Sequence, residues 1–120
     1  MSALASIQAF CSAMGLPPQA PPLTLRFERS GDLHIECRDG SVVMYITRPL
    51  PLHRQGIAAA ALKAVHPDRA LPHMVNVAFY GEALLVLLIS IAENRIDLPT
   101  LETGAQVLVR LVDEIDAAAR

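Results

Sequence analysis

Tryptophan is absent from this chain, and aromatic residues amount to 4% of it, three Phe and two Tyr among 120 residues. A core built without large rings depends on Leu, Val, Ile and Ala, which cohere through many small contacts, and a hydrophobic fraction of 52% supplies enough of them. Lysine is almost missing as well. Of the ten basic residues only Lys63 is a lysine, and the arginines are scattered from Arg26 to Arg120 under a net charge of −2, so a phosphate backbone would find no stripe to lie on. Nucleic-acid binding is disfavoured. The six glycines are spread through the chain as loop, cap and helix positions, which excludes a glycine-rich phosphate loop. No apolar run reaches the roughly 18 residues of a membrane span, and the first residues lack the basic flank and cleavage pattern of a signal peptide, so a cytoplasmic location is expected. Cys11 and Cys37 fall where the periodic pattern calls for a small buried apolar residue and have no neighbour at ligand spacing. They are expected to be inert core thiols, with no metal and no cofactor.

What is present is aliphatic and strongly periodic. A chain of this length forms one domain, residues 1–120, that would bury about two-thirds of its unfolded surface around a single core. Leu4, Ile7, Cys11 and Met14 recur at spacings of three and four among helix-favouring alanines, predicting a helix over residues 3–14 that Gly15, Pro17 and Pro18 stop. Leu23, Leu25 and Phe27 alternate with polar residues, as do Leu33, Ile35 and Cys37. A loop of Ser30, Gly31 and Asp32 with Gly31 left-handed would set Phe27 opposite Ile35, Leu25 opposite Cys37, Arg26 opposite Glu36 and Glu28 opposite His34. Asp39-Gly40 is a two-residue hairpin signal that pairs Cys37 with Val42, Ile35 with Met44 and Leu33 with Ile46, giving a third strand from Ser41 to about Thr47, after which Pro49 and Pro51 break the sheet.

A second helix over Leu52–His66, ended by Pro67, carries four consecutive alanines. Ile57, Ala60, Ala61, Ala64 and Val65 form a smooth surface on it, suited equally to ordinary core packing and to a subunit contact. Met74 to Tyr80 alternates Val75, Val77 and Phe79 against Asn76, Ala78 and Tyr80, and Gly81-Glu82 turns it into Ala83 to Ile91, ALLVLLISI, in which Ser90 is the only polar side chain. A strand apolar on both faces must be covered on both, and three helices cannot do that alone, so another polypeptide is expected to complete the shell. Leu101, Ala105, Leu108, Val112 and Ile115 mark a closing helix, with Asp97 or Thr100 as its cap. The element order is α-β-β-β-α-β-β-α, an α+β fold with an antiparallel sheet packed by helices.

No chemistry is assembled in the sequence. His53 and Arg54 open the second helix, and His34, His66 and His73 lie elsewhere without an Asp or Cys at the spacing of a metal site or triad. Glu28, Glu36, Glu93, Glu102 and Glu114 occupy polar phases or turns, so no carboxylate pair stands out for acid–base work. The chain is read as a binding protein, not an enzyme. An interface enzyme built around His53 and Arg54 is the weakest of three readings; the second is a regulatory adaptor that sequesters a transcriptional regulator or a component of an export machine.

The leading reading comes from a resemblance. The element order and the closing pattern YGEALLVLLISI-AENRID-LPTLETGAQVLVRLVDEI are similar to the class I type III secretion chaperones, the CesT-like family, and within it to the SycN branch. The narrower likeness is carried by Phe10-Cys11, Gly15 and Pro17, by Ser30-Gly31 and Leu33, by Arg48, Leu50, His53 and Arg54, and by Gly81-Glu82, Leu85-Val86, Ser90 and Leu98-Pro99. The resemblance implies a small bacterial cytoplasmic dimer, able to work at the cytosolic face of the secretion apparatus. It would hold the N-terminal segment of a secreted client, in the SycN branch the gatekeeper that plugs secretion, in extended form and without ATP. It implies a second small chaperone as heterodimer partner, or a homodimer, and a subunit contact on Ile57, Ala60, Ala61, Ala64, Val77 and Phe79. A net charge of −2 is less acidic than the family pattern. A client strand can add to an exposed sheet edge while alternate side chains drop into apolar pockets beside it. Leu4, Ile7, Phe10, Met14, Leu25, Phe27 and Ile35 are the candidate client patch, unless they are simply the chain's own core. Met14 is favoured as adaptable and Phe10 as lying off the main stripe.

Overall fold

The computed structural model describes residues 2–50, 56–81 and 83–118. Helix α1 (Ala3–Ala13) begins where Ser2 Oγ accepts the Ala5 amide at 3.1 Å and ends in left-handed Gly15 at φ +79. It is followed by β1 (Leu23–Phe27), β2 (Gly31–Arg38), β3 (Ser41–Pro49), α2 (Ile57–Ala64), β4 (Asn76–Tyr80), β5 (Leu84–Ala92) and α3 (Leu98–Ala118), with 3-10 turns before β4 and α3. The expected element order holds. Five antiparallel strands lie in the order β1-β2-β3-β5-β4, so β1 and β4 are the two edges.

Among the described residues, the helical cover lies on one face. Leu33, Ile35, Met44, Ile46, Leu85, Leu87 and Ile89 point into it and are buried, where they meet Leu101, Leu108 and Val112 of α3. Gly104 lets α3 come down on β3, since a Cβ there would sit 3.1 Å from the Met44 sulfur. Polar pins fix the last turns of α3: the Ser30 hydroxyl donates to Asp113 at 2.9 Å, Arg48 to Asp116 at 2.8 Å, and Arg69 to Glu114 at 2.8 Å. Asp97, one of the two expected caps, accepts the Thr100 amide at 2.8 Å and opens α3. Hydrogen bonds from the Thr100 side chain, then from its amide, hold the Asp97 carboxyl below its ordinary value.

The β2–β3 hairpin has the expected register, Cys37 with Val42, Ile35 with Met44 and Leu33 with Ile46. The first hairpin does not. Leu25 lies opposite Leu33 rather than Cys37, Phe27 opposite Gly31 rather than Ile35, and Arg26 opposite Asp32 rather than Glu36, with the two in an ion pair at 3.2 Å. His34 faces Thr24, not Glu28, and their side chains hydrogen-bond at 3.0 Å. Leu25 has moved by four positions along β2, an even slip that keeps every apolar residue on its face, so alternation alone could not choose. Tertiary contacts choose instead: Ser30 is tied to Asp113 in the turn, and Gly31, at φ +117, belongs to the strand, where any Cβ would run into the Thr47 carbonyl.

Cys37 is corrected by the same slip. Because β1 starts opposite Ile35, Cys37 has no β1 neighbour and is exposed, while Cys11 is buried as expected. Partial desolvation, then the Glu93 carboxylate, pushes the Cys37 thiol up, which keeps its thiolate scarce. Strand β3 runs past the expected Thr47 to Pro49, paired with Leu84, and β4 starts at Asn76 rather than Met74. The expected helix start at Leu52, including His53 and Arg54, lies outside the described residues, as does Glu82 of the last turn.

Candidate functional site

Strand β1 is short and lies at the sheet edge, and among the described residues no backbone hydrogen bond outside the β2 ladder involves Leu23–Phe27. One row of its peptide groups is therefore open to pairing. Beside it, between α1 and α3, lies an apolar groove of about 440 Å³, formed by Phe10 and Met14 of α1, Phe27 at the end of β1, and Ala105 and Val109 of α3. Glu102, Gln106, Arg110 and Asp113 line its α3 side. The groove carries carboxylates and a guanidinium at its polar margin and offers no assembled nucleophile or metal cluster among the described residues. Its lining is suited to apolar side chains.

The candidate client residues divide by burial. Ile7, Phe10, Leu25 and Ile35 belong to the chain's own core, fully or almost fully buried. Phe10 does not stand off the main stripe as expected; its ring closes the floor of the groove at 0% exposure. Met14, 40% exposed, and half-buried Phe27 keep surface in the groove, while Leu4, 46% exposed, lies elsewhere on α1. Val109, Gln106 and Arg110 were missed. Val109 interrupts the polar flank of α3, outside the stripe of Leu101, Ala105, Leu108, Val112 and Ile115, and that interruption was the available signal.

The candidate subunit residues divide likewise. Ile57, Ala61 and Ala64 are buried in the core as α2 packs on α3. Ala60 and Val77 are half-buried, and Phe79 is exposed. Leu62 on α2, Met74 just before the second edge strand β4 and Tyr80 at its end are also exposed, large apolar side chains.

The family model for the type III secretory system chaperone SycN matches residues 4–116. Chaperone protein SycN of Yersinia pseudotuberculosis is 31% identical over 115 residues, covering 91% of this chain and 92% of that protein. In fold, the chain is similar to the structure of the ExsC–ExsE complex, at TM-score 0.77 and 11% identity over 97% of this chain and 92% of the other. It is also similar to the HopA1–SchA chaperone–effector complex, at TM-score 0.73 and 12% identity over 95% and 92%. No helix among the described residues is long and apolar enough to cross a membrane. Sequence match, element order and sheet topology agree, and the chain belongs to the SycN family of class I type III secretion chaperones.

Proposed function

We propose that this chaperone holds the N-terminal segment of a secreted client, a gatekeeper-like protein, as an added strand on the free edge of β1, with alternate apolar side chains in the groove of Phe10, Met14, Phe27 and Val109. The observation that carries the reading is the coincidence of an unpaired strand edge with an apolar groove of about 440 Å³ between α1 and α3. Main-chain pairing supplies affinity with little regard to sequence, and the groove selects for aliphatic residues at every second position. Burial contributes roughly 25 cal/mol per Å² before ordering costs, so no nucleotide-driven step is required. The HopA1–SchA complex, a chaperone with its effector on the same fold, supports a client of this kind. The chain acts in the bacterial cytoplasm with a second small chaperone subunit, a sister chain or a copy, held through the exposed side of α2 and β4.

A Val109→Asp, Met14→Asp variant tests the groove. Binding of a client N-terminal fragment, measured by calorimetry on the purified chaperone, should weaken about tenfold or more, since one buried anchor is worth over 1 kcal/mol. Unchanged affinity in a folded variant places the client elsewhere. A chaperone that binds none of the secreted proteins encoded beside it ends the reading altogether.

A further inference from the structure

A strand added to β1 would be short. Pro21 and Pro22, directly before Leu23, have no amide to give a ladder, so the free edge is Leu23–Phe27 itself, five residues. Leu23, Leu25 and Phe27 turn to the helix side, and Thr24 and Arg26 turn to the open face. A client strand on this edge therefore has two outward positions, one beside Thr24 and one beside Arg26. The Thr24 hydroxyl is already bonded to the His34 ring at 3.0 Å. Arg26 is different. Its Nε donates to Oδ1 of Asp32 on β2 at 3.2 Å, and its two terminal nitrogens hold no carboxylate among the described residues. Asp32 thus takes the side of the guanidinium nearest its own strand, while the Arg26 side chain as a whole is 82% exposed at the rim of the sheet.

We infer that Arg26 selects among clients: the residue of the added strand lying beside it on the open face is Asp or Glu, flanked on both sides by the aliphatic residues that enter the groove. The inference rests on the client reading above and deepens it. A guanidinium offers five donors in a planar fork and Asp32 uses one of them, so a second carboxylate is taken without displacing the first. A Lys or Arg at the same client position would stand against a like charge across adjacent strands. The groove alone reads apolar side chains, a pattern that many aliphatic segments satisfy, and the charge at the rim rejects those whose alternation puts a cation outward. Glu28 and Arg29 lie beyond the strand, in the turn, so the choice is made at one client residue and not along the whole edge. Pairs across strands contribute modestly, which makes this a preference graded by salt.

The probe is the client N-terminal fragment of the calorimetric test, changed one residue at a time to Glu and to Lys along its bound stretch. On the unaltered chaperone at low salt, one position between two aliphatic residues should favour Glu over Lys about fivefold or more in dissociation constant. On an Arg26→Glu chaperone the order at that position should reverse, and Arg26→Gln should erase it. At about 1 M salt, where the screening length falls to roughly 3 Å, the preference should shrink below about twofold. Arg26 is exposed, so both variants should keep the circular dichroism spectrum of the parent. A preference that is absent, or that survives Arg26→Gln, overturns the inference, and the client reading stands as long as Val109→Asp with Met14→Asp still weakens binding. A fragment that binds that groove variant as tightly as the parent removes the client reading itself, whatever Arg26 does.

Discussion

Gly31 and its neighbour Ser30 are fixed for different reasons, and both reasons are tertiary. Ser30 is 4% exposed and its hydroxyl is spent on Asp113 of α3, while Gly31 carries φ +117 with the Thr47 carbonyl where a side chain would begin. A Gly31→Ala variant meets backbone strain and a backbone clash together, and its unfolding free energy should fall on the order of 3 kcal/mol in urea titration. A loss under about 1 kcal/mol would mean that the β2–β3 approach relaxes freely. Neither contact is legible from neighbours in sequence. The Ser-Gly-Asp triplet reads locally as a loop, and only the partner 83 positions away shows that Ser30 serves α3. Cys37 is a similar case, because its exposure follows from where β1 begins rather than from its own strand pattern.

At the scale of elements, periodicity placed the buried faces of α3 and of the β2–β3 hairpin but could not choose the register of the first hairpin. The α3 stripe of Leu101, Ala105, Leu108, Val112 and Ile115 is buried as its spacing predicts, and the β2–β3 register follows from Asp39-Gly40. The groove was only half legible, because its α1 side comes from a predicted stripe whereas Val109 and the angle between α1 and α3 belong to packing. Asp97 controls the start of α3 and has a pH signature. Its folded pKa lies below the ordinary value of 3.8, so the stabilisation is fully present above that value and is lost as pH falls through the lower folded pKa. Asp97→Asn should keep an acceptor for the Thr100 amide yet flatten this acid-side slope, read as a smaller drop of the thermal midpoint between neutral pH and the acid range. An identical slope in both proteins would assign the acid sensitivity to other carboxylates.

The whole molecule leaves apolar surface at both ends of its sheet, as the excess of aliphatic residues over helical cover implied. ALLVLLISI became a strand with Leu85, Leu87, Ile89 and Ile91 buried under the helices and with Leu84, Val86 and Leu88 on the opposite side, where Val86 is still buried and Leu84 and Leu88 are half-buried. Which apolar residues stay outside could not be read from the sequence, since a stripe of helix α2 looks the same whether it meets α3 or another chain. Leu62, at 58% exposure, separates the two uses. Leu62→Asp should change the stability of the single chain by no more than about 0.5 kcal/mol and raise the subunit dissociation constant about tenfold or more in sedimentation. An unaltered sedimentation profile would move the subunit contact off this side of α2.

The open rims of the sheet, β1 and β4, are separated by the full breadth of the three strands between them, roughly 19 Å at the usual strand spacing. Cargo moored at one rim and a companion at the other would share a scaffold without touching. Unloading would then leave the pair intact and ready for the next passenger, and the timing of release would be set at the dock rather than by the chaperone coming apart.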